Sequence, residues 1–161
     1  MTEMRTWLLA KLLWNPDFDV EAGICEFTEA AYGPAAPEIR EYIEHMQKCV
    51  LDNNIHFGIF EHPDTPYIDE ATITGAKEIL ARAQAKELTL SQRIYVEKVA
   101  FSLEFTEIAR DIYNGIVDPA RIDAMYDMAR TLGITSMAEG WHMDIARHDL
   151  LDGKLFKERT R

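Results

Sequence analysis

Leu90-Ser-Gln-Arg-Ile-Tyr-Val-Glu-Lys-Val-Ala-Phe-Ser-Leu-Glu-Phe-Thr-Glu-Ile-Ala-Arg-Asp-Ile-Tyr-Asn114 is the stretch that decides the fold class. Leu90, Ile94, Phe101, Phe105, Ile108 and Ile112 recur at helical spacing along one side, and Val96, Val99 and Leu103 fall on the other. Thr89 offers an N-cap oxygen and Asn114-Gly115 a stop. A long helix with two apolar faces has to be covered twice, so this one is expected at the centre of a bundle.

The neighbouring segments supply the cover. Upstream, about 70–85 presents Ile73, Ala76, Leu80 and Ala83 at helical spacing. Downstream, Asp118-Pro119 pairs an N-cap with proline at the first helical position. This opens a helix to Leu132 that Gly133 closes, with Ile122, Met125, Tyr126, Ala129 and Leu132 inward. A last helix is expected over 137–151, carrying Trp141, Ile145 and His148 on one side, with Gly153 beyond its end.

Toward the N-terminus three more helices are expected. Over about 2–14, Met4, Trp7, Leu8, Leu9, Leu12, Leu13 and Trp14 surround most of the circumference, leaving Arg5, Thr6 and Lys11 as the polar minority. Such a helix demands partners on several sides. Asn15-Pro16-Asp17 ends it, because proline disfavours helical backbone at the residue before it. Asp19 caps the next helix, over 20–32, whose inward stripe is Val20, Ile24, Phe27 and Ala31 and which Gly33 stops. After Pro37 a third helix, with Ile39, Tyr42, Ile43, Met46 and Val50 inward, runs to about 51 and completes a helical hairpin. Residues 52–69 form one long irregular loop. Its Ile55, Phe57, Ile59, Phe60 and Tyr67 argue that it packs down, with a short extended piece at 56–60. The expected fold is all-α, a single domain over 1–161 built as a bundle of six or seven helices.

Charge narrows the partners. With 28 acidic against 17 basic residues the net charge is -11, and a nucleic acid would approach against that field. The one basic cluster, Lys154 to Arg161, reads as a solvated terminus. No apolar run approaches the ~20 residues of a membrane span. The first ten residues lack the basic-then-apolar order of a signal peptide. Cys25 and Cys49 make neither a CxxC pair nor a zinc spacing.

Chemistry-bearing groups are present without a complete constellation. Asp17 and Asp19, Glu26 and Glu29, and Glu61 and Asp64 are close in sequence, yet glycoside hydrolysis needs two carboxyls flanking one sugar, and these positions suit caps and solvated faces. Glu139 with His142, Glu41 with His45, and His142 with His148 have helical ligand spacings. A di-metal bundle needs two Glu-x-x-His motifs, and one is present, so neither metal nor cofactor is expected and His148 reads as a core or boundary residue. Gly75 and Gly140 are isolated and belong to no phosphate loop. The segments Trp14-Asn-Pro-Asp17 and His56-Phe-Gly-Ile-Phe60 set aromatic rings beside polar groups, a pattern that serves sugar stacking or core plugging.

One further pattern is not a matter of periodicity. Leu8-Leu-Ala-Lys-Leu-Leu-Trp-Asn-Pro-Asp-Phe-Asp-Val20, then Phe27, then Tyr32-Gly-Pro-Ala-Ala36 and Ile39-Arg-Glu-Tyr42, resembles an uncharacterised bacterial domain family associated with glycoside hydrolases. The resemblance is strongest over 3–60. In that family a β/α-barrel precedes the stretch, in an arrangement similar to α-glucuronidases and β-N-acetylglucosaminidases. The resemblance therefore implies a carbohydrate-processing, exported parent protein whose barrel holds the carboxylates. This chain would be its non-catalytic helical part, packing against the barrel or edging its cleft, with Trp14, Asn15 and His56 as substrate-binding residues at that edge. Two other readings stand beside it: a stand-alone interaction module forming a homodimer through the apolar first helix, and a small metalloenzyme built on Glu139 and His142.

Overall fold

In the computed structural model, residues 1–52, 54–56, 69–138 and 141–152 are described. They form α1 (Thr2–Trp14), α2 (Val20–Tyr32), α3 (Ala36–Asp52), α4 (Glu70–Gln84), α5 (Leu90–Tyr113), α6 (Pro119–Thr131) and α7 (Met143–Leu151). A short antiparallel pair, β1 (Ser136–Ala138) and β2 (Trp141–His142), precedes α7. The chain is an all-α bundle, as its periodicity requires. Of the long loop, only the ends lie among the described residues; the expected extended piece, and Phe57, Ile59, Phe60 and Tyr67, lie outside them.

The helices start where side chains satisfy the orphan N–H groups of the first turn. Asp19, Asp69 and Asp118 accept from the backbones of Ala22, Thr72, and Ala120 and Arg121. Thr89 and Gln92 form a full capping box at the head of α5.

Helix α5 carries two cores. Val96, Val99 and Leu103 pack with Tyr32, Ala35, Ile39, Ala76, Leu80 and Ala83, joining α5 to the α2–α4 side. Phe101, Ile108 and Ile112 pack with Ile122, Met125, Tyr126, Ala129 and Leu150 of α6 and α7. The expectation of a doubly packed central helix is met. Leu90 departs from it at 77% exposure, because the core rows begin further along, at Val96 and at Phe101.

Four other expectations are corrected. The turn after α2 is a 3-10 element, Gly33–Ala35, and α3 begins at Ala36, before Pro37 rather than after it. Proline is tolerated there because first-turn N–H groups have no intrahelical partner. On α2, Val20 is exposed, and the buried face runs through Gly23, Thr28 and Tyr32 with Ile24, Phe27 and Ala31 half-buried. Thr28 tolerates complete burial because its hydroxyl donates to the Ile24 carbonyl at 2.8 Å and accepts from Arg40 Nη1 at 2.9 Å. The last helix spans nine residues from Met143, and 136–138 and 141–142 supply the strand pair. A helix begun at 137 would carry Gly140 in its interior, at a cost of about 1 kcal/mol relative to alanine. His148 is exposed, its Nδ1 lying 3.6 Å from Asp152, and not a core residue.

The α3–α4 seam yields a sharp test. His45 Nε2 lies 2.8 Å from the Thr72 carbonyl, and its ring covers Gly75, where a Cβ would sit 2.6 Å from His45 Cε1. Gly75→Ala gains about 1 kcal/mol of helix propensity, but the added methyl displaces the ring and breaks its hydrogen bond, worth about 1 kcal/mol. The substitution is expected to be close to neutral in the natural chain and stabilising by about 1 kcal/mol in a His45→Ala background. Urea denaturation of the four proteins measures the coupling, and equal effects in both backgrounds would refute the contact.

Candidate functional site

The sequence singles out Trp14, Asn15 and His56. Trp14 closes α1 with 92% of its surface exposed. Asn15 is exposed in the following turn, its Oδ1 accepting from the Asp17 N–H at 3.2 Å while its carbonyl accepts from Phe18 N–H at 3.0 Å. His56 is exposed beyond the end of α3. Among the described residues no hydrogen bond, ion pair or ring contact joins the three.

The turn instead gathers a different set of rings. Trp7 meets Phe18 edge-on at 6.1 Å and Phe27 at 5.7 Å between centroids. Lys11 Nζ stands 4.8 Å over the indole. Helical spacing puts Trp7 and Lys11 on one side of α1. That Phe18 folds back onto them depends on the turn, so sequence reading passed over Trp7. The exposed positions of α1 include two large apolar side chains, Leu9 at 56% and Leu13 at 87%, beside the polar Thr2, Glu3, Arg5 and Thr6.

The carboxylates are distributed through ion pairs between helices. Arg121 of α6 donates to Glu104 through Nε at 2.6 Å, to Asp111 at 2.8 Å and to Glu107 at 3.3 Å. The hydrogen bond it donates to Glu104, with Glu107 and Asp111 close by, raises the guanidinium's pKa. Lys77 of α4 bonds Glu107 at 2.5 Å. Glu97 accepts from Gln84 at 2.9 Å. Lys77, Gln84, Glu97, Glu104 and Glu107 line a groove of about 220 Å³ with the apolar Leu80, Ala100, Leu103 and Met128. Chemically it is a lattice that clamps α4 and α6 onto α5. Sequence reading missed Arg121, since its partners lie on another helix.

The spaced ligand pairs fare differently. Glu41 accepts from Arg82 at 2.5 Å, while His45 is bonded to Thr72, so the two do not act together. His142 is exposed at the head of α7; Glu139, Glu61 and Asp64 lie outside the described residues. Among the described residues no group of three or more His, Cys, Asp or Glu is arranged to hold a metal ion. Neither cysteine is in a disulfide: Cys25 is exposed, and the half-buried Cys49 Sγ accepts from Thr72 Oγ1 at 3.4 Å. Among the described residues no helix is long and apolar enough to cross a membrane.

Several titratable groups are shifted by the fold. Burial, with Glu3 and Tyr95 nearby, pushes the Tyr32 hydroxyl up to about 12, and burial likewise raises Tyr42. Glu3 is lowered chiefly by a backbone hydrogen bond, and Asp69 by its bonds to Thr72. For Glu38 desolvation pushes upward, but the Lys86 hydrogen bond and a backbone bond together outweigh it and lower the carboxyl. All three are lower in the folded state than in the unfolded chain. Their stabilisation is therefore complete above the ordinary values of 4.5 for Glu and 3.8 for Asp and is lost as pH falls through the lowered values. The urea midpoint is expected to hold steady from neutral pH down to about 5 and then decline. A midpoint that rises on acidification below that point would contradict the assignment.

The fold and the groups it assembles define a helical bundle braced by ion pairs around one central helix. Its residues 1–44 match a family described as Domain of unknown function (DUF4838). No curated protein and no solved structure matches the chain.

Proposed function

We propose that this chain is a non-catalytic helical accessory domain of a glycoside-hydrolase-like, carbohydrate-processing protein, docking against a β/α-barrel through the outer face of α1. The observation that carries the reading is the exposed apolar pair Leu9 and Leu13, one turn apart on α1, with Trp14 exposed at the helix end, on a helix whose Met4 and Leu8 are buried. Large apolar side chains left together in solvent mark a partner surface. The match over 1–44 covers the same helix and supports treating it as a recurrent unit. Trp14, Asn15 and His56 are the side chains assigned to the edge of a sugar cleft.

The chain alone is expected to leave aryl glycosides and glucuronides intact, with oligosaccharide binding no tighter than millimolar and lost in Trp14→Ala. Turnover abolished by replacing a single Asp or Glu of this chain would sink the reading. Reading the coding sequence upstream of Met1 tests the barrel directly. The same exposed face also fits a homodimer, and sedimentation of a dimer that Leu13→Asp dissociates would favour that second reading.

A further inference from the structure

A second concavity lies at the opposite end of α1 from Trp14. It is a cleft of about 500 Å³ between the first turn of α1, the middle of α5 and the segment after α6. That volume falls within the range of about 300 to 1,000 Å³ typical of small-molecule sites. Three features of its lining carry chemistry. Phe101 and Phe105, one turn apart on α5, supply an aromatic floor, Phe101 buried and Phe105 half-buried. Glu3 and Lys98 form an ion pair of 3.3 Å at the rim, both partly exposed. Ser102 and Thr106 form a hydroxyl row.

The hydroxyl row has a definite polarity. Ser102 Oγ donates to the Lys98 carbonyl at 3.1 Å, and Thr106 Oγ1 donates to the Ser102 carbonyl at 2.9 Å. With their protons used inside the helix, both oxygens present lone pairs to the cleft. Glu3 adds acceptor oxygens and Lys98 donor protons. One Lys against one Glu makes these named charges balance, in a chain whose net charge is -11.

We infer that this cleft binds a neutral, polyhydroxylated ring, a saccharide unit, with an apolar ring face against Phe105 and its hydroxyl groups donating to Ser102, Thr106 and Glu3 and accepting from Lys98. An organic anion is disfavoured by the row of acceptors. An organic cation has no unpaired carboxylate to meet, since Glu3 is engaged by Lys98. The assignment rests on the chemistry of the cleft and not on the docking face of α1, so each stands or falls separately.

The test is titration of the whole chain with cellobiose, followed by amide chemical shifts in ¹H–¹⁵N spectra, with benzoate and benzylammonium as charged comparators. Cellobiose is expected to shift the amides of residues 98 to 106 with millimolar affinity. Phe105→Ala should weaken binding about tenfold through the lost ring face. Because Phe105 also touches the core, Ser102→Gln provides the second variant: it fills the cleft from an exposed helical position, and should abolish the shifts while leaving the melting temperature unchanged. The inference is overturned by an absence of shifts, by shifts confined to Trp14 and His56, or by either charged comparator binding 98–106 as tightly as cellobiose. Glycoside turnover by the chain would instead overturn the accessory-domain reading and leave the cleft standing.

Discussion

Phe101→Ala is expected to lower the stability of this chain by about 3 to 5 kcal/mol, the cost of emptying a buried aromatic site. Phe101 is 5% exposed and packs in the cluster that holds α6 and α7 on α5. Its neighbours Ile122, Met125 and Ala129 are themselves buried, on a helix anchored by the Arg121 ion pairs, so collapse into the vacated space is restricted. The gain in helix propensity from alanine, about 0.5 kcal/mol, is too small to offset the loss. Phe105→Ala is expected to cost less, because that ring is half-buried. Chemical denaturation gives the comparison directly. A loss below about 1 kcal/mol for Phe101→Ala would mean that the second core is not where the fold puts it.

Gly33→Ala is expected to cost about 2 to 4 kcal/mol from two sources that act together. Gly33 has φ of +53°, a conformation L side chains rarely adopt, and it lets the chain leave α2 and enter the 3-10 turn. A Cβ there would also run into the side-chain amide of Gln92. Gln92 is half of the capping box, its Oε1 accepting from the Thr89 N–H at 3.0 Å while Thr89 Oγ1 accepts from Gln92 N–H at 3.3 Å. Moving that amide uncaps α5 as well as straining the turn. A double-mutant cycle with Gln92→Ala separates the two: in that background the cost of Gly33→Ala should fall by about 1 kcal/mol, the size of a lost cap. Equal costs in both backgrounds would show that the collision is relieved without moving the cap.

What the proposed site residues share is exposure, and exposure is not written in a sequence. Trp14 and Trp7 are both tryptophans on α1, seven positions apart and on similar faces. One is 92% exposed, while the other rests against Phe18 and Phe27. The difference comes from how far the turn after α1 reaches back along it. The resemblance read from Trp14-Asn-Pro and Tyr32-Gly-Pro-Ala-Ala has its counterpart in a family match over 1–44, a match that assigns no chemistry.

Apolar spacing was enough to place helices α1, α2, α4, α5 and α6 to within about a residue, and Asp19, Gly33, Thr89 and Asp118-Pro119 mark helix ends because caps, prolines and glycines act on the few residues next to them. It also determined that α5 must be covered on two sides, since apolar spacing along one helix is a local property. Packing between elements set which way α2 is rotated, that Thr28 rather than Val20 is inside, and that 136–138 pairs with 141–142. It also decided that Arg121 gathers three carboxylates from α5, that His45 closes over Gly75, and that Glu3 and Lys98 meet across a cleft. Each of these joins side chains from separate elements. Their free energy is a through-space quantity that exists only once the helices have packed.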